Sequence, residues 1–278
     1  MNQYAAGIIL YHPDYNRLKA NIDAVYPQVD RIYCYNNGLG DDRSIENLLG
    51  SYVNIILMGD GDNIGIASAL NQIVERAHMD GIQWLLTLDQ DSVVCEGMVK
   101  AFSSLTGLEK VGIICPQLQD DRRKNQEFVQ IENSYTDVDL CFTSGSFVNV
   151  EIVRDIGGYD DFLFVDLVDH DICIRMKYEG YRIIRDNSMV LNHELGKLTP
   201  SRFETIYLKA GKMLHSDTIK KLSYKREVSS MRTYYATRNM IYMKKKYANY
   251  MEGSYWNKKL IKNSFSCILR CGGVCDLT

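Results

Sequence analysis

Residues 84–92, WLLTLDQDS, form a continuous apolar run that stops at two carboxylates, Asp89 and Asp91. A short apolar run with an abrupt polar end is typical of a strand buried on both faces of a parallel sheet. In open α/β sheets, ligands bind beyond the carboxyl ends of such strands. The segment therefore predicts a buried central strand with a site at its end.

The segments on either side of this run alternate between β-rich and helical stretches. Helical periodicity follows the start signal Pro13-Asp14 over residues 15–25 and recurs over residues 63–78. Further strand-like runs are AAGIILY, RIYCYNN, YVNIILMG and VGIICPQL. This alternation is expected of parallel strands joined by crossover helices.

The pattern becomes less regular after about residue 140. A strand-like run, YRIIRDNSMVLNH, follows an acidic stretch, and from Arg202 onward the chain is rich in Tyr, Lys and Arg and shows a mostly helical pattern. We predict an α/β fold in which helices flank a mostly parallel central sheet. Residues 1–200 would form the ligand-binding and catalytic domain, and residues 201–278 a basic helical segment packed on it.

Composition narrows the class of function. The chain has 278 residues, 46% of them hydrophobic, which is enough for one large α/β domain with an appended segment. A net charge of -3 and a pI near 6.0 argue against a general nucleic-acid binder. Between Lys220 and Arg270, however, only Glu227 and Glu252 oppose a crowd of basic residues. This segment is a candidate surface for anionic lipid or phosphate.

Targeting signals and cysteine spacing point to the cytoplasm. The opening MNQYAAGIILYHPD lacks a signal-peptide pattern, and no apolar run reaches the roughly 20 residues of a membrane span. The eight cysteines lack the paired C-x-x-C spacing of a zinc site, so reduced thiols are expected. Cys267, Cys271 and Cys275 recur every four residues and would share one helix face, where packing is favoured over acylation or metal binding.

Two acidic clusters carry the candidate chemistry. Asp89 and Asp91 offer hard oxygen ligands that suit Mg²⁺ or Mn²⁺, although a solvated strand end would explain them equally well. The second cluster contains Asp166, Asp169 and Asp171. If Asp169 opens a helix, the positive helix end would keep it ionised and able to accept a proton. The alternative is a capping acid, with Asp171 and Arg175 as one surface ion pair along the helix.

Several segments in a fixed order are typical of one enzyme family: GIILYHPD, YCYNNG, GDNIGIASALNQ, LDQDS, TSGSFVN, GGYDDFLFVDLVDHDICIR, GYRI, LNHELG and YYATRN. They cover roughly residues 5–240. By these segments the chain resembles family 2 glycosyltransferases of the GT-A fold, most closely the bacterial rhamnosyltransferase-like branch that builds cell-surface polysaccharides.

The resemblance implies a role for each matching residue of the catalytic and metal sites. Asp169 matches the catalytic base, and Asp171 would orient or tune it. Asp91 matches the metal-binding end of the D-x-D motif, with Asp89 beside it contacting the metal or the nucleotide sugar. His193 matches an imidazole that completes the metal coordination; a single His after a strand is otherwise more often structural. The implied cofactor is Mg²⁺ or Mn²⁺.

The resemblance also implies a nucleotide-sugar site. Tyr11 and Pro13 would lie beside the base, and Asn63 and Gly65 would line the nucleotide, where glycine permits close backbone approach. Asn36 stands where many relatives have an Asp that holds the base or ribose, and its amide can still hydrogen-bond.

Ser144 and Arg238 each have two possible roles. Ser144 lies in a small-residue segment, Thr143 to Gly145, that either approaches the donor sugar or acceptor or is a tight turn over a core strand. Arg238 would place a guanidinium on a phosphate or lie on a lipid-facing basic helix.

The predicted reaction is inverting transfer of a sugar, L-rhamnose from dTDP-L-rhamnose in the first instance, to a saccharide or polyprenyl-diphosphate-linked acceptor. UDP-galactofuranose and UDP-galactose remain alternative donors. A nucleotidyltransferase is a competing class, but it usually has a Gly-rich basic loop where this chain has YHPDYN. A non-catalytic sugar-binding protein is a third interpretation, and a Rossmann dehydrogenase lacks its G-x-G-x-x-G motif here. The expected location is the cytoplasm, with peripheral contact at the inner face of the plasma membrane.

Overall fold

A computed structural model describes residues 4–119, 133–192, 198–201, 203–214, 216, 219–220, 223–226 and 229–248. Ten strands lie in these ranges: β1 (Tyr4–Leu10), β2 (Arg31–Asn36), β3 (Ile55–Met58), β4 (Trp84–Asp89), β5 (Val111–Gln119), β6 (Tyr135–Asp137), β7 (Ser146–Asn149), β8 (Arg182–Asn192), β9 (Leu198–Pro200) and β10 (Tyr224–Arg226). The helices within the same ranges are α1 (Tyr15–Val25), α2 (Arg43–Leu49), α3 (Ile66–Met79), α4 (Met98–Ser103), α5 (Val150–Asp155), α6 (Val168–Tyr178), α7 (Glu204–Met213) and α8 (Ser230–Lys246).

The first eight strands form one sheet in the order β3-β2-β1-β4-β7-β5-β8-β6. Strands β1, β2, β3 and β4 are mutually parallel, as are β5 and β8, whereas β7 runs antiparallel to both β4 and β5. The predicted mostly parallel α/β sheet is confirmed. The chain runs from β1 through β2 to β3 on one side of β1, and then crosses back to place β4 on the other side. The strand order therefore reverses between β1 and β4, and the carboxyl ends of these two strands are the expected ligand crevice.

The strand register brings several chain ends to one edge of the sheet. Leu10 pairs with Asn36, and Ile9 pairs with Asp89, so β1, β2 and β4 end at the same level. Because β7 is antiparallel, its beginning lies at this edge as well, where Ser146 pairs with Thr87.

Apolar side chains cover both faces of the sheet. Alternate residues of a strand enter different clusters: Ala5 and Leu85 belong to one, Ala6 and Leu86 to the other. Strand β4 is buried from Trp84 to Leu88, as its unbroken apolar run predicts.

Local signals explain the ends of the helices that flank the site. Helix α1 has the predicted bounds because the Asp14 side chain accepts hydrogen bonds from the backbone N–H groups of Asn16 and Arg17. Helix α3 begins after Gly65, whose φ of 84° suits a residue without a Cβ.

Two details differ from the sequence prediction. Strand β3 begins only at Ile55, and Val53 is exposed. The segment after residue 200 is not helical throughout, because Tyr224–Arg226 pairs antiparallel with Leu198–Pro200. Such short strands depend on tertiary pairing and carry no usable periodicity. Within the described ranges, no helix combines the length and apolar character that crossing a bilayer requires.

Candidate active site

The turn after β4 is held in place by buried polar side chains. The backbone N–H of Asp89 donates to Ser144 Oγ over 2.9 Å, and Ser144 Oγ lies 2.8 Å from Ser92 Oγ. The carbonyl of Asp89 accepts from Asn21 Nδ2 at 2.7 Å and from the backbone N–H of Ser92 at 3.1 Å. The Asp89–Ser92 turn is therefore held by Asn21 of α1 and by Ser144, which lies in the segment before β7.

Asp91 presents an open carboxylate at this edge. Its backbone carbonyl accepts from Arg17 Nη2 at 3.2 Å, and its half-buried side chain has no protein partner among the described residues. With Asp89 two positions earlier, it supplies the oxygen ligands that Mg²⁺ and Mn²⁺ prefer. The two carboxylates fit a divalent cation, although within the described ranges no three metal-ligating side chains converge. His193, the third predicted ligand, lies outside those ranges.

Tyr11 connects the end of β1 to the metal motif. Its backbone N–H donates to Gln90 Oε1 at 2.8 Å, and Gln90 Nε2 donates to the Tyr11 carbonyl at 2.9 Å. A Cβ on Gly38 would lie 2.9 Å from Tyr11 Cδ2 and 3.5 Å from Asn63 Cβ, so the ends of β1 and β2 meet the predicted nucleotide segment here. The exposed Tyr11 ring forms one wall of this corner.

Two residues predicted beside the base have internal roles instead. Asn36 Nδ2 donates to the Gly40 carbonyl at 2.9 Å, and Asn36 Oδ1 accepts from the Leu39 N–H at 3.0 Å. The buried Asn36 amide thus closes the turn after β2. Pro13 is buried immediately before Asp14, the N-cap residue of α1.

The predicted nucleotide segment touches the segment that precedes Asp169. Asn63 Oδ1 accepts from the Gly65 N–H at 3.1 Å, and the Ile66 N–H donates to the Phe164 carbonyl at 2.6 Å. A Cβ on Gly65 would lie 2.5 Å from Phe164 Cδ2. Only glycine allows this approach, which explains the residue type at position 65.

Asp169 lies in the first turn of α6, as predicted for a carboxylate that opens a helix. Its Oδ1 accepts from the backbone N–H of His170 and lies 2.9 Å from His170 Nδ1. No partner of Oδ2 occurs among the described residues, and the side chain is 19% exposed. Asp169 and Thr143 line the same small cavity, together with Tyr159 and Ser146.

The segment Thr143-Ser144 joins the two acidic clusters. Thr143 lines the cavity of Asp169, and the next residue, Ser144, accepts the Asp89 N–H. The Thr143 carbonyl also accepts from Thr87 Oγ1 of β4 at 2.5 Å. Two consecutive residues therefore connect the base candidate to the metal motif across one continuous wall.

Comparison with known proteins shows which sequences and folds this chain resembles. No family model matches the chain. A dTDP-rhamnosyl transferase, RfbF of Shigella flexneri, is 26% identical over 211 residues, which are 70% of this chain and 70% of that protein. The crystal structure of GalNAc-T7 with UDP, GalNAc and Mn²⁺ matches 99% of this chain with a TM-score of 0.59 and 10% identity. This chain spans only 56% of the GalNAc-T7 chain.

A second solved structure has the same fold. The mannosyltransferase PcManGT from Pyrobaculum calidifontis, in complex with GDP-Man and Mn²⁺, matches 96% of this chain and 80% of its own with a TM-score of 0.57 and 12% identity. The chain therefore has the GT-A fold, and its curated relative is a glycosyltransferase.

In this structure, Asp171 is a buried acid with several internal partners. Its side chain is fully buried, with Oδ2 accepting from Arg175 Nε at 2.8 Å. Oδ1 accepts from Lys246 Nζ at 2.8 Å and from Tyr247 Oη at 2.6 Å. The pairing with Arg175 is confirmed. The predicted role of orienting Asp169 is not supported, because both oxygens of Asp171 are taken by other partners.

Arg238 also differs from its predicted role. Its Nη2 donates to the carbonyls of Phe162 and Leu163, and its guanidinium carbon lies 4.4 Å from the Phe162 ring centroid and 4.6 Å from that of Tyr235. Arg238 thus holds residues 162–163, and its Nε and Nη2 atoms are engaged by groups of the protein.

Three residues that support the site were missed from the sequence. Asn21 and Gln90 fix the metal motif, and Asn239, described below, holds the segment before Asp169. Only Asn21 had a usable signal, since it interrupts the apolar stripe of α1 formed by Leu18, Ile22 and Val25.

Proposed function

We propose that the chain is an inverting, metal-dependent glycosyltransferase that transfers L-rhamnose from dTDP-L-rhamnose to a saccharide or lipid-linked saccharide. The observation that carries this proposal is the wall Thr143-Ser144, which connects the cavity of Asp169 to the backbone of Asp89. One donor molecule bound along this wall would contact both acidic clusters. The similarity to a dTDP-rhamnosyl transferase supports the choice of donor.

Asp169 would act as the general base of a single displacement. The acceptor hydroxyl gives its proton to Oδ2 as its oxygen bonds to the anomeric carbon, whose bond to the diphosphate oxygen breaks. The contacts from His170 hold Oδ1, and the Asp169 side chain lines the cavity. Asp169 lies in the first turn of α6, where the N–H groups of the helix end favour a negative charge. Attack opposite to the leaving group inverts the anomeric configuration.

Asp91 and Asp89 would hold the cation, with His193 as a further ligand. When bound, Mg²⁺ or Mn²⁺ would neutralise the charge that develops on the departing diphosphate. The chain itself contributes a turn whose backbone is fixed by Asn21 and Ser144. A fixed turn limits the reorganisation that the backbone of Asp89 and Asp91 would need when a cation binds.

Substitution of the base tests the reaction. We expect Asp169→Asn to slow transfer by about a hundredfold or more, because a general base contributes at least that factor. The matched control is Asp155→Asn, which changes an exposed carboxylate at the end of α5. A rate for Asp169→Asn within about tenfold of the parent would remove Asp169 from this role.

A donor panel tests the sugar. Hydrolysis and transfer would be measured with dTDP-rhamnose, UDP-galactofuranose and UDP-galactose in the presence of Mn²⁺ or Mg²⁺. We expect the highest kcat/KM with dTDP-rhamnose. A clear preference for either UDP-sugar would contradict the proposed donor but would still agree with the proposed enzyme class.

A polyprenyl-diphosphate-linked acceptor would require contact with a membrane surface. Part of the basic excess is used internally, since Arg232 pairs with Asp166, and Lys246 with Asp160. Lys245 is exposed at the end of α8. We expect vesicles containing anionic lipid to retain the protein at low salt. Equal recovery from neutral and anionic vesicles would contradict the membrane proposal and leave the transfer reaction intact.

A further inference from the structure

The segment immediately before α6 has an unusual backbone. Phe164, Asp166 and Leu167 have φ values of 60°, 63° and 66°, and none of them is glycine. A residue with a Cβ in this region costs about 1 kcal/mol or more relative to an ordinary conformation. Such a segment persists only where neighbouring groups hold it, and Asp169 lies two positions beyond it.

Asn239 of α8 holds this segment in place through hydrogen bonds. Its side chain is fully buried, and Nδ2 donates to the carbonyls of Leu163 at 2.7 Å, Val165 at 2.7 Å and Asp166 at 2.9 Å. An amide has two hydrogens, so three carbonyls share them. Asn239 Oδ1 accepts from Arg238 Nε at 2.9 Å and from Nη2 at 2.7 Å, which fixes the orientation of the amide.

The same segment is held from two further directions. The Phe164 ring stacks on Tyr235 of α8, with centroids 4.9 Å apart and planes 15° from parallel. The Phe164 carbonyl accepts the Ile66 N–H at the start of α3. Residues 163–167 therefore lie between α8 and the predicted nucleotide segment. A shift of α8 would move residues 163–167 and, through them, the nucleotide segment.

We propose that Asn239 is a positioning residue for sugar transfer: by binding the carbonyls of Leu163, Val165 and Asp166 it fixes the left-handed segment from which Asp169 projects. The inference rests on the proposed function, and it assigns to α8 a part in catalysis without contact to the reacting atoms. Misplacement of a reacting group by about 1 Å can cost a hundredfold in rate. Loss of the three hydrogen bonds should thus slow the chemical step more than it weakens donor binding.

The test compares Asn239→Ala with the parent and with Ile241→Ala, a control that truncates an exposed side chain on the same helix. Two measurements are needed: amide hydrogen exchange of residues 164–169, and kcat together with KM for the nucleotide sugar. For Asn239→Ala we expect exchange of these amides to be faster by about tenfold or more, kcat to fall by about tenfold or more, and KM to change by less than about threefold. Ile241→Ala should match the parent in all three.

Each other outcome overturns the assignment. If amide exchange is faster but kcat is unchanged, Asn239 has a structural role only. If kcat falls but amide exchange is unchanged, the hydrogen bonds from Asn239 to residues 163–166 are not the cause of the lower kcat. A parent that transfers no sugar would reject the proposed function, and with it the catalytic role, while the exchange data would still measure the hold. If Asn239→Ala does not fold, Tyr235→Leu replaces it, because the half-buried Tyr235 ring contacts the same segment through Phe164. The same criteria then apply to Tyr235→Leu.

Discussion

Lys246 Nζ lies 2.8 Å from Asp171 Oδ1, although 75 residues separate them in the chain. The same ammonium group lies 2.6 Å from Asp160 Oδ2, which also accepts from Tyr242 Oη. One cation from the end of α8 thus binds carboxylates on both sides of the segment that leads to Asp169.

Lys246→Met should destabilise the protein without changing the chemistry directly. Removal of the ammonium leaves the buried Asp171 with Arg175 and Tyr247 alone, and we expect the free energy of unfolding to fall by about 2 kcal/mol. Urea unfolding at pH 7 would measure this, with the exposed Lys245→Met as the control. An equal stability of both variants would contradict the network.

The contribution of Lys246 should depend on pH in a defined direction. Burial acts to lower the pKa of Lys246, but hydrogen bonds with Asp160 and Asp171 outweigh it and raise this pKa above its ordinary value of 10.5. Burial acts to raise the pKa of Asp160, but the bonds from Lys246 and Tyr242 lower it below 3.8. The lysine contribution is complete below its ordinary pKa, and the aspartate contribution is complete above its own.

The stability difference between parent and Lys246→Met should therefore stay constant from about pH 5 to pH 9. It should shrink as the pH falls through the lowered pKa of Asp160. Unfolding curves across this range would measure it, and a difference that grows on acidification would contradict the pairing.

Gly65→Ala should disturb both halves of the site. The added Cβ would lie 2.5 Å from Phe164 Cδ2 and 2.9 Å from the Phe164 carbonyl, so Phe164 must move. Gly81→Ala is a matched control, because Gly81 has a similar φ of 75° and open space around its Cβ position. We expect kcat/KM to fall by about tenfold or more for Gly65→Ala relative to Gly81→Ala. Equal values would show that backbone strain alone accounts for the loss.

The sequence predicted the structure correctly where the signal depends on residues that are close together in the chain. The apolar run of β4 and the Asp14 cap of α1 each depend on neighbouring residues, and both elements have the expected position. Asp169 and Asp171 lie two positions apart on one helix, and no local pattern tells which of them is open. The difference arises from Lys246 and Tyr247, whose contacts depend on how α8 packs. Asn36 likewise shows its role only through the turn that it closes.

Asp91→Asn should change the metal dependence of transfer. The Asp91 carboxylate has no protein partner among the described residues, so its loss leaves the surrounding turn intact. We expect the Mn²⁺ concentration for half-maximal activity to rise by about tenfold or more, whereas Asp155→Asn leaves it unchanged. Transfer that continues undiminished in excess chelator would show that neither Asp91 nor His193 is a ligand.

Arg238→Met separates the predicted phosphate-binding role from the structural role that the contacts of this residue indicate. A guanidinium that binds the donor diphosphate contributes a charge-assisted hydrogen bond, and its loss would weaken nucleotide binding by about tenfold or more. The structure instead places this group between the Phe162 and Tyr235 rings and on the carbonyls of residues 162–163. We therefore expect the Kd for dTDP with Mn²⁺ to stay within about threefold of the parent, and the free energy of unfolding to fall by about 1–2 kcal/mol. Arg154→Met, which removes a half-buried guanidinium paired with Glu75, is the control for loss of a positive charge. Isothermal titration and urea unfolding would distinguish the two roles. If Arg238 binds phosphate, its substitution weakens dTDP binding and leaves the free energy of unfolding unchanged. If Arg238 is structural, its substitution lowers the free energy of unfolding and leaves dTDP binding unchanged.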